Sequence, residues 1–255
     1  MTRPSPVLAI GTWKNNGELF AELPRVGYLH HNWSVLDPTY GRGTFWTRWR
    51  PNNLTAHDIN PAKSPDGTSV DATNMKYAAE TFDAVVIDGP YKLNGTPSDV
   101  MDEAYGVDVA ADISERHALL AAMMSEGARV LRCASESPGG YLLFKCMDQV
   151  SSGQVHWQTH IFAAHGETLG LTLVDSFLLK SNRGQPERSV CARCDRPIVL
   201  GADGLWAVVH KGQPDPWEKV ARRCCGYYGV HYPTSDSGQR HARRNYSTLL
   251  VFRKP

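Results

Sequence analysis

The sequence predicts an α/β domain whose mostly parallel sheet is covered on both faces, and three observations carry that reading. Short apolar, β-branched runs alternate with stretches of helical spacing along the first 180 residues, as they must where crossover helices join parallel strands. The clearest run, 82–88, is stopped sharply by Gly89-Pro90. At 255 residues, 42% hydrophobic and 21% charged, the chain is long enough for one such core with a small insertion.

Taken in order, Ser34-Val35-Leu36-Asp37 reads as a buried strand ending in a turn, and 53–58 as a second. Residues 82–88 form the third, and 140–146 (Gly-Tyr-Leu-Leu-Phe-Lys-Cys) the fourth. Two more are expected over 171–179 and 246–252. Between the third and fourth, residues 112–131 place Ile113, His117, Leu120, Ala121 and Met124 at helical spacing. Ser114 is a candidate cap at its start, and Gly127 weakens its end. A weaker helical pattern covers 158–169, and a short helical stretch is expected after Asp71.

Residues 186–240 break this rhythm with Pro, Gly, Trp, Arg and four cysteines around one apolar run, 205–209. They read as an insertion in the loop joining the last two strands, leaving 1–185 and 241–255 as the main domain. About 55 irregular residues need a separate reason to be ordered, since such connections are ordinarily a few residues long.

Collagen-like, coiled-coil and wholly disordered chains are excluded by this composition. No apolar run approaches the roughly 20 residues that cross a bilayer, and the start lacks the charged-then-apolar layout of a signal peptide. A soluble cytoplasmic protein is expected. Its formal charge of +1 hides an asymmetry. Residues 1–179 carry 13 Lys and Arg against 20 Asp and Glu, whereas 180–255 carry 14 against 6. A basic C-terminal third suits a polyanion-binding face, and nucleic acid is the expected partner. The sequence leaves the oligomeric state open, a homodimer included.

The first strand runs into Asp37-Pro38-Thr39-Tyr40-Gly41-Arg42-Gly43-Thr44-Phe45-Trp46. Two glycines one residue apart let this turn bring its backbone against a ligand. A dinucleotide fingerprint fails, because position 46 is Trp where the third Gly belongs. An acid before the turn would also repel a pyrophosphate, and it suits a ligand with a positive amine. Asp58, 21 residues beyond Asp37, can hold both hydroxyls of a ribose. Asp71 then precedes Ala72, placed to reach an exocyclic amine, and Asp88-Gly89-Pro90-Tyr91 ends the longest strand. Acids in this order at the carboxyl ends of successive strands define one crevice.

Here residues 37–46 resemble the glycine-rich cofactor loop of S-adenosylmethionine-dependent methyltransferases. Asp88-Gly89-Pro90-Tyr91 resembles the Asp/Asn-Pro-Pro-Tyr motif of enzymes that methylate exocyclic or amide nitrogens. Segments 82–97 and 241–254 are similar to small bacterial and phage DNA-methylase-like proteins. The resemblance covers about residues 30–180 and the last strand. It implies a three-layer α/β/α, Rossmann-like methyltransferase sandwich with a mostly parallel seven-stranded sheet, its last strand antiparallel. It implies that Asp37 faces the methionine amine, with Thr39, Gly41 and Gly43 close to S-adenosylmethionine. Asp58 with Ile59 would hold the ribose, and Asp71 with Ala72 the adenine amine. Asp88 and the carbonyl of Gly89 would accept from the target nitrogen, with Pro90 completing the motif and Tyr91 stacking on a flipped base. The implied activity is methylation of a base amino nitrogen in DNA, adenine N6 ahead of cytosine N4. An inactive nucleic-acid-binding module, a partner subunit and an RNA or protein-amide methyltransferase are the alternatives. Gly89 in place of the first Pro departs from the motif, and it predicts a looser loop that Gly89→Pro would stiffen.

The second constellation is Cys191-Ala-Arg-Cys194 followed by Cys224-Cys225. Four soft or borderline ligands make a structural zinc site, so the insertion is expected to be a small zinc ribbon held by Cys191, Cys194, His210 and Cys224. Cys225 and His231 are alternative ligands, because adjacent cysteines rarely face one metal. A redox pair is the rival, although such a CxxC should open a helix after a strand. Arg188, Arg193, Arg196, Arg222, Arg223, Arg240, Arg243 and Arg244 stand among Trp206, Trp217, Tyr227, Tyr228 and Tyr232. That mixture combines phosphate-binding charge with stacking surface.

Overall fold

The computed structural model describes residues 13–93, 112–135, 139–151, 154–180 and 246–255, with the backbone of four short strands between 189 and 214. The chain divides into one unit of residues 1–182 and 243–255 and a second of 183–242.

In the first unit, helix α1 (Asn16–Glu22) precedes strands β1 (Ser34–Asp37), β2 (Asn53–Ala56) and β3 (Ala84–Ile87). Helix α2 (Ile113–Val130) leads to β4 (Tyr141–Cys146) and a small hairpin of β5 (Gln149–Ser151) and β6 (Gln154–His156). Helix α3 (Gln158–Thr168) and β7 (Thr172–Lys180) follow. The second unit holds β8 (Ser189–Val190), β9 (Pro197–Leu200), β10 (Trp206–His210) and β11 (Gln213–Pro214), and the chain closes on β12 (Tyr246–Arg253).

Six strands form the main sheet, in the order β2-β1-β3-β4-β12-β7. β1 pairs in parallel with β2 and β3, and β3 with β4. β12 runs antiparallel between β4 and β7. From β1 the chain steps to β2 on one side and then returns to β3 on the other. This is a Rossmann-like, doubly wound order whose switch point lies beside β1, and ligands bind outside the carboxyl ends of strands at such a point.

Alternating residues of each strand feed two cores, as the two-residue period of a strand requires. Leu36, Val85, Ile87, Leu142, Phe144 and Phe252 pack under α2 and α3. Val35, Ala84, Val86, Leu143, Leu249 and Val251 face an aromatic layer of Trp13, Phe20, Phe45 and Trp46. Phe20 stacks on Phe45 with ring centroids 4.1 Å apart, and its edge meets Trp46 at 5.3 Å.

Several expectations change. The expected sheet had seven strands, and the described one has six. Where a further edge strand beside β2 would lie, only an isolated parallel bridge joins Asp58 to Ser69. Val70 N donates to Asp58 O at 3.1 Å, and beyond it the chain continues as turns, which end the pairing. The stretch after Asp71 forms turns and not a helix. Asp112, not Ser114, caps α2, in a reciprocal capping box with Glu115. Gly127 does not end that helix. A Cβ there would stand 2.8 Å from Ile87 Cδ1, so glycine lets the helix lie close on the sheet. Helix α1 and the β5–β6 hairpin were not anticipated.

The second unit contains an antiparallel sheet in the order β11-β10-β9-β8. Of these strands only β10 was legible, as the apolar run at 205–209. The expected zinc ligands Cys191, Cys194 and Cys224, with the alternatives Cys225 and His231, lie outside the described residues. His210 is described only as the last residue of β10. Among the described residues, no group of three or more His, Cys, Asp or Glu is placed to hold a metal. Among them, too, no helix is long and apolar enough to cross a membrane.

Candidate functional site

The loop after β1 is fastened to both neighbouring strand ends. Gly41 N donates to Asp58 Oδ2 beyond β2 at 2.9 Å, and Tyr40 N donates to His57 O at 2.8 Å. On the other side, Asp88 N, just past β3, donates to Thr39 Oγ1 at 2.8 Å. Asp37, Thr39, Gly41, Gly43, Asp58 and Asp88 are thereby gathered at the switch point. Gly41 and Gly43 both adopt positive φ, 56° and 63°, which a side chain would disfavour. The loop then tightens into a single 3-10 turn at Thr44–Trp46.

Asp37 is 1% exposed. Its Oδ2 accepts from Trp46 Nε1 at 2.7 Å, and its Oδ1 accepts from Thr39 N at 3.1 Å and Thr39 Oγ1 at 3.3 Å. The expected contact with a ligand amine therefore competes with two partners from its own chain. Burial outweighs the Trp46 and Thr39 bonds and, with the Asp88 charge, pushes this carboxyl up to about 7. Trp46, which breaks the dinucleotide fingerprint, is the residue that anchors Asp37.

Asp58 is buried and braces the turn. Besides Gly41, its Oδ1 accepts from Asn60 N at 2.9 Å, and each oxygen keeps a further lone pair. Ile59 beside it is 45% exposed. Asp71 is exposed and accepts from Thr73 N at 2.8 Å, while Ala72 is buried in the core and offers a ligand no surface.

The Asp88-to-Tyr91 segment is the most constrained part of the crevice. Lys145, on β4, is 6% exposed, and its Nζ lies 3.1 Å from Asp88 Oδ2. The ammonium also sits 5.4 Å from the ring centroids of Tyr91 and of Phe45, within cation–π range. Burial works against its charge, but the Asp88 carboxylate and Tyr91 more than offset that and hold its pKa above the ordinary lysine value. The other oxygen, Asp88 Oδ1, is buried with no hydrogen-bond partner among the described residues, and buried acceptors are ordinarily satisfied.

Two buried glutamines clamp the loop that follows. Gln149 Nε2 and Gln158 Nε2 donate to Tyr91 O at 2.5 and 2.9 Å. Gln149 Oε1 accepts from Leu93 N, and Gln158 Oε1 accepts from Met147 N, each at 3.0 Å. Tyr91 N donates to Gly89 O at 2.8 Å, leaving that carbonyl one lone pair. The segment is thus held without the expected proline. Gly89 has its own reason: a Cβ there would lie 2.6 Å from Leu120 Cδ2 and 3.0 Å from Met123 Sδ on α2.

Sequence reasoning missed Lys145, Gln149 and Gln158. One signal was available for the first, since a lysine inside the apolar run Tyr-Leu-Leu-Phe-Lys-Cys is buried only when paired. The glutamines gave none, because the Tyr91 and Leu93 backbone groups that they hold are more than 50 residues away.

No known protein family matches the chain, and no curated protein does. Among solved structures, it is similar to a Bacillus halodurans protein carrying a provisional methyltransferase name, at 15% identity over 92% of this chain and 98% of that one, with a TM-score of 0.49. It is similar to the MccD protein at 11% identity, over 95% and 100% of the two chains, with a TM-score of 0.49. A third likeness, to an S-adenosylmethionine-dependent methyltransferase of Thermotoga maritima, has 10% identity over 92% and 89%, with a TM-score of 0.41. All three fall below one half in TM-score, so the reading of the site rests on its own geometry.

Proposed function

We propose that this chain is an S-adenosylmethionine-dependent methyltransferase acting on an exocyclic amino nitrogen of a base in DNA, adenine N6 ahead of cytosine N4. The observation that carries the reading is Asp88 Oδ1, a buried acceptor without a partner among the described residues, beside the Gly89 carbonyl at the switch point. Two acceptors on consecutive residues, each with a lone pair to spare, suit the two hydrogens of an amino group.

The residues present fit the cofactor. Asp58 has lone pairs for ribose hydroxyls, exposed Ile59 offers apolar surface to a purine, and exposed Asp71 can accept from its amine. The loop at Gly41 and Gly43 admits close backbone approach. When bound, S-adenosylmethionine supplies an electrophilic methyl group on a sulfonium. The protein's part is to prepare the nucleophile. An aromatic amino nitrogen has its lone pair delocalised into the ring. Acceptance of its hydrogens by Asp88 Oδ1 and Gly89 O favours the tetrahedral form, in which that lone pair is free to attack in line; the N–C bond would form as the S–CH3 bond breaks, and the proton the nitrogen then carries in excess would leave through Asp88 Oδ1 to water. The Tyr91 ring, partly exposed, supplies a face on which the base stacks. A duplex base reaches such a pocket only by leaving the stack. The excess of Lys and Arg after residue 180 supports nucleic acid as the partner, with sequence preference coming from the insertion, a loop or a partner.

The test is transfer of labelled methyl to DNA, RNA and protein, followed by nucleoside analysis. Label in DNA as N6-methyladenine is expected. Asp88→Ala should lower kcat at least 100-fold, the order expected for a positioned group, while S-adenosylhomocysteine still binds. A protein that binds the cofactor but is inert on every polymer is a binding module, and the enzyme reading ends there.

A further inference from the structure

An ionised aspartate is an awkward acceptor for a neutral amine in a buried site. It carries a charge that needs compensation and two equivalent oxygens that need orienting. Both needs are met by one residue. Lys145 is buried, its Nζ is 3.1 Å from Asp88 Oδ2, and among the described residues the opposite oxygen has no partner. The chain's own bonds fix the remaining freedom. Asp88 N is tied to Thr39 Oγ1, and the ammonium is walled by Phe45 and Tyr91.

We infer that Lys145 is a positioning residue of the proposed methyl transfer: it occupies Asp88 Oδ2 so that Oδ1 alone faces the substrate amine, and it cancels the carboxylate's charge. This rests on the function proposed above and deepens it. The pair makes the acceptor site formally neutral, so it takes a neutral aromatic amine and not an aliphatic ammonium ion. The elevated lysine pKa agrees with an ammonium that stays charged through the reaction.

In Asp88→Asn, the side chain keeps one oxygen, and the Lys145 ammonium draws it away from the substrate. In Lys145→Met, the carboxylate is buried, uncompensated and free to rotate. In Asp88→Asn with Lys145→Met, the amide oxygen is released toward the amine and no buried charge remains. Each single variant should lose roughly 100-fold in kcat, since small misplacements of a reacting group cost that much. The double variant should exceed both singles at least tenfold, with Kd for S-adenosylhomocysteine within about twofold of wild type. A purely structural pair would recover thermal stability in the double variant but not turnover.

The experiment measures kcat on DNA, cofactor binding and Tm for all four proteins. Should Lys145→Met fail to fold, Asp88→Asn and the double variant decide by the same comparison. A double variant no faster than Asp88→Asn overturns the assignment, as does Lys145→Met with wild-type kcat. Wild-type protein inert on every polymer defeats the proposed function first and this role with it, so the two failures are told apart by the wild-type lane.

Discussion

Adding a single carbon at Gly89 separates two accounts of the Asp88-to-Tyr91 loop. A Cβ at this position would lie 2.6 Å from Leu120 Cδ2 and 3.0 Å from Met123 Sδ, against the roughly 3.5–4.0 Å of carbon–carbon contact. Both atoms belong to flexible side chains, but Leu120 is 0% exposed and Met123 9% exposed, in a core that has little room to yield. Gly89→Ala should therefore cost about 1–3 kcal/mol, the ordinary range for overpacking. At about 2–4 °C per kcal/mol for a unit of this size, Tm should fall by roughly 2–12 °C. Gly89→Pro inserts the same carbon and more, and it should also lower Tm and not raise kcat. Thermal unfolding and methyl transfer, measured side by side, check this. Leu120→Val is the control, since shortening the opposing side chain should make Gly89→Ala less costly than it is alone. An unchanged Tm for Gly89→Ala with faster turnover for Gly89→Pro would refute the packing account and restore the view that the loop merely lacks proline's stiffness.

Three further outcomes are expected. Burial raises the Asp37 carboxyl from 3.8 to about 7, so the native state binds that proton more tightly than the unfolded chain. Its stabilising contribution is complete below about pH 4 and is lost as pH rises through about 7, amounting to about 4 kcal/mol at 1.36 per unit. Urea unfolding from pH 4 to 8 should show this slope in wild type, and an identical slope in Asp37→Asn refutes it. Asp58→Ala frees both Gly41 N and Asn60 N, and it should weaken S-adenosylhomocysteine binding at least tenfold by calorimetry, because charge-assisted bonds are among the stronger ones. The zinc ribbon expected from the sequence is tested by metal analysis of the purified protein: one zinc per chain, with chelation lowering order in the insertion but not in the six-stranded unit, would support it, and a Cys191–Cys194 disulfide without zinc would favour the redox rival.

The strands were legible because burial leaves a local mark. Each of the six main strands coincides with an apolar run, and the two longer helices with a 3.6-residue pattern. The crevice was legible for a related reason, since Asp37, Asp58 and Asp88 each follow such a run, and a doubly wound order brings those ends together. What the sequence by itself determined is therefore the list of elements and the side of the sheet on which chemistry collects. Tertiary structure alone decided what the polar groups do. Asp37 turned out to be held by Trp46, and Lys145, in an apolar run, to meet Asp88 from the neighbouring strand. Gly89 is dictated by Leu120 on a helix 31 residues later, and the Tyr91 carbonyl by glutamines beyond β4. Among the described residues, the place of a seventh strand beside β2 holds only the bridge from Asp58 to Ser69. Periodicity reports how deeply a residue is buried. It carries no record of the partner across the sheet, and for a buried charge or a close-packed glycine that partner sets the free energy.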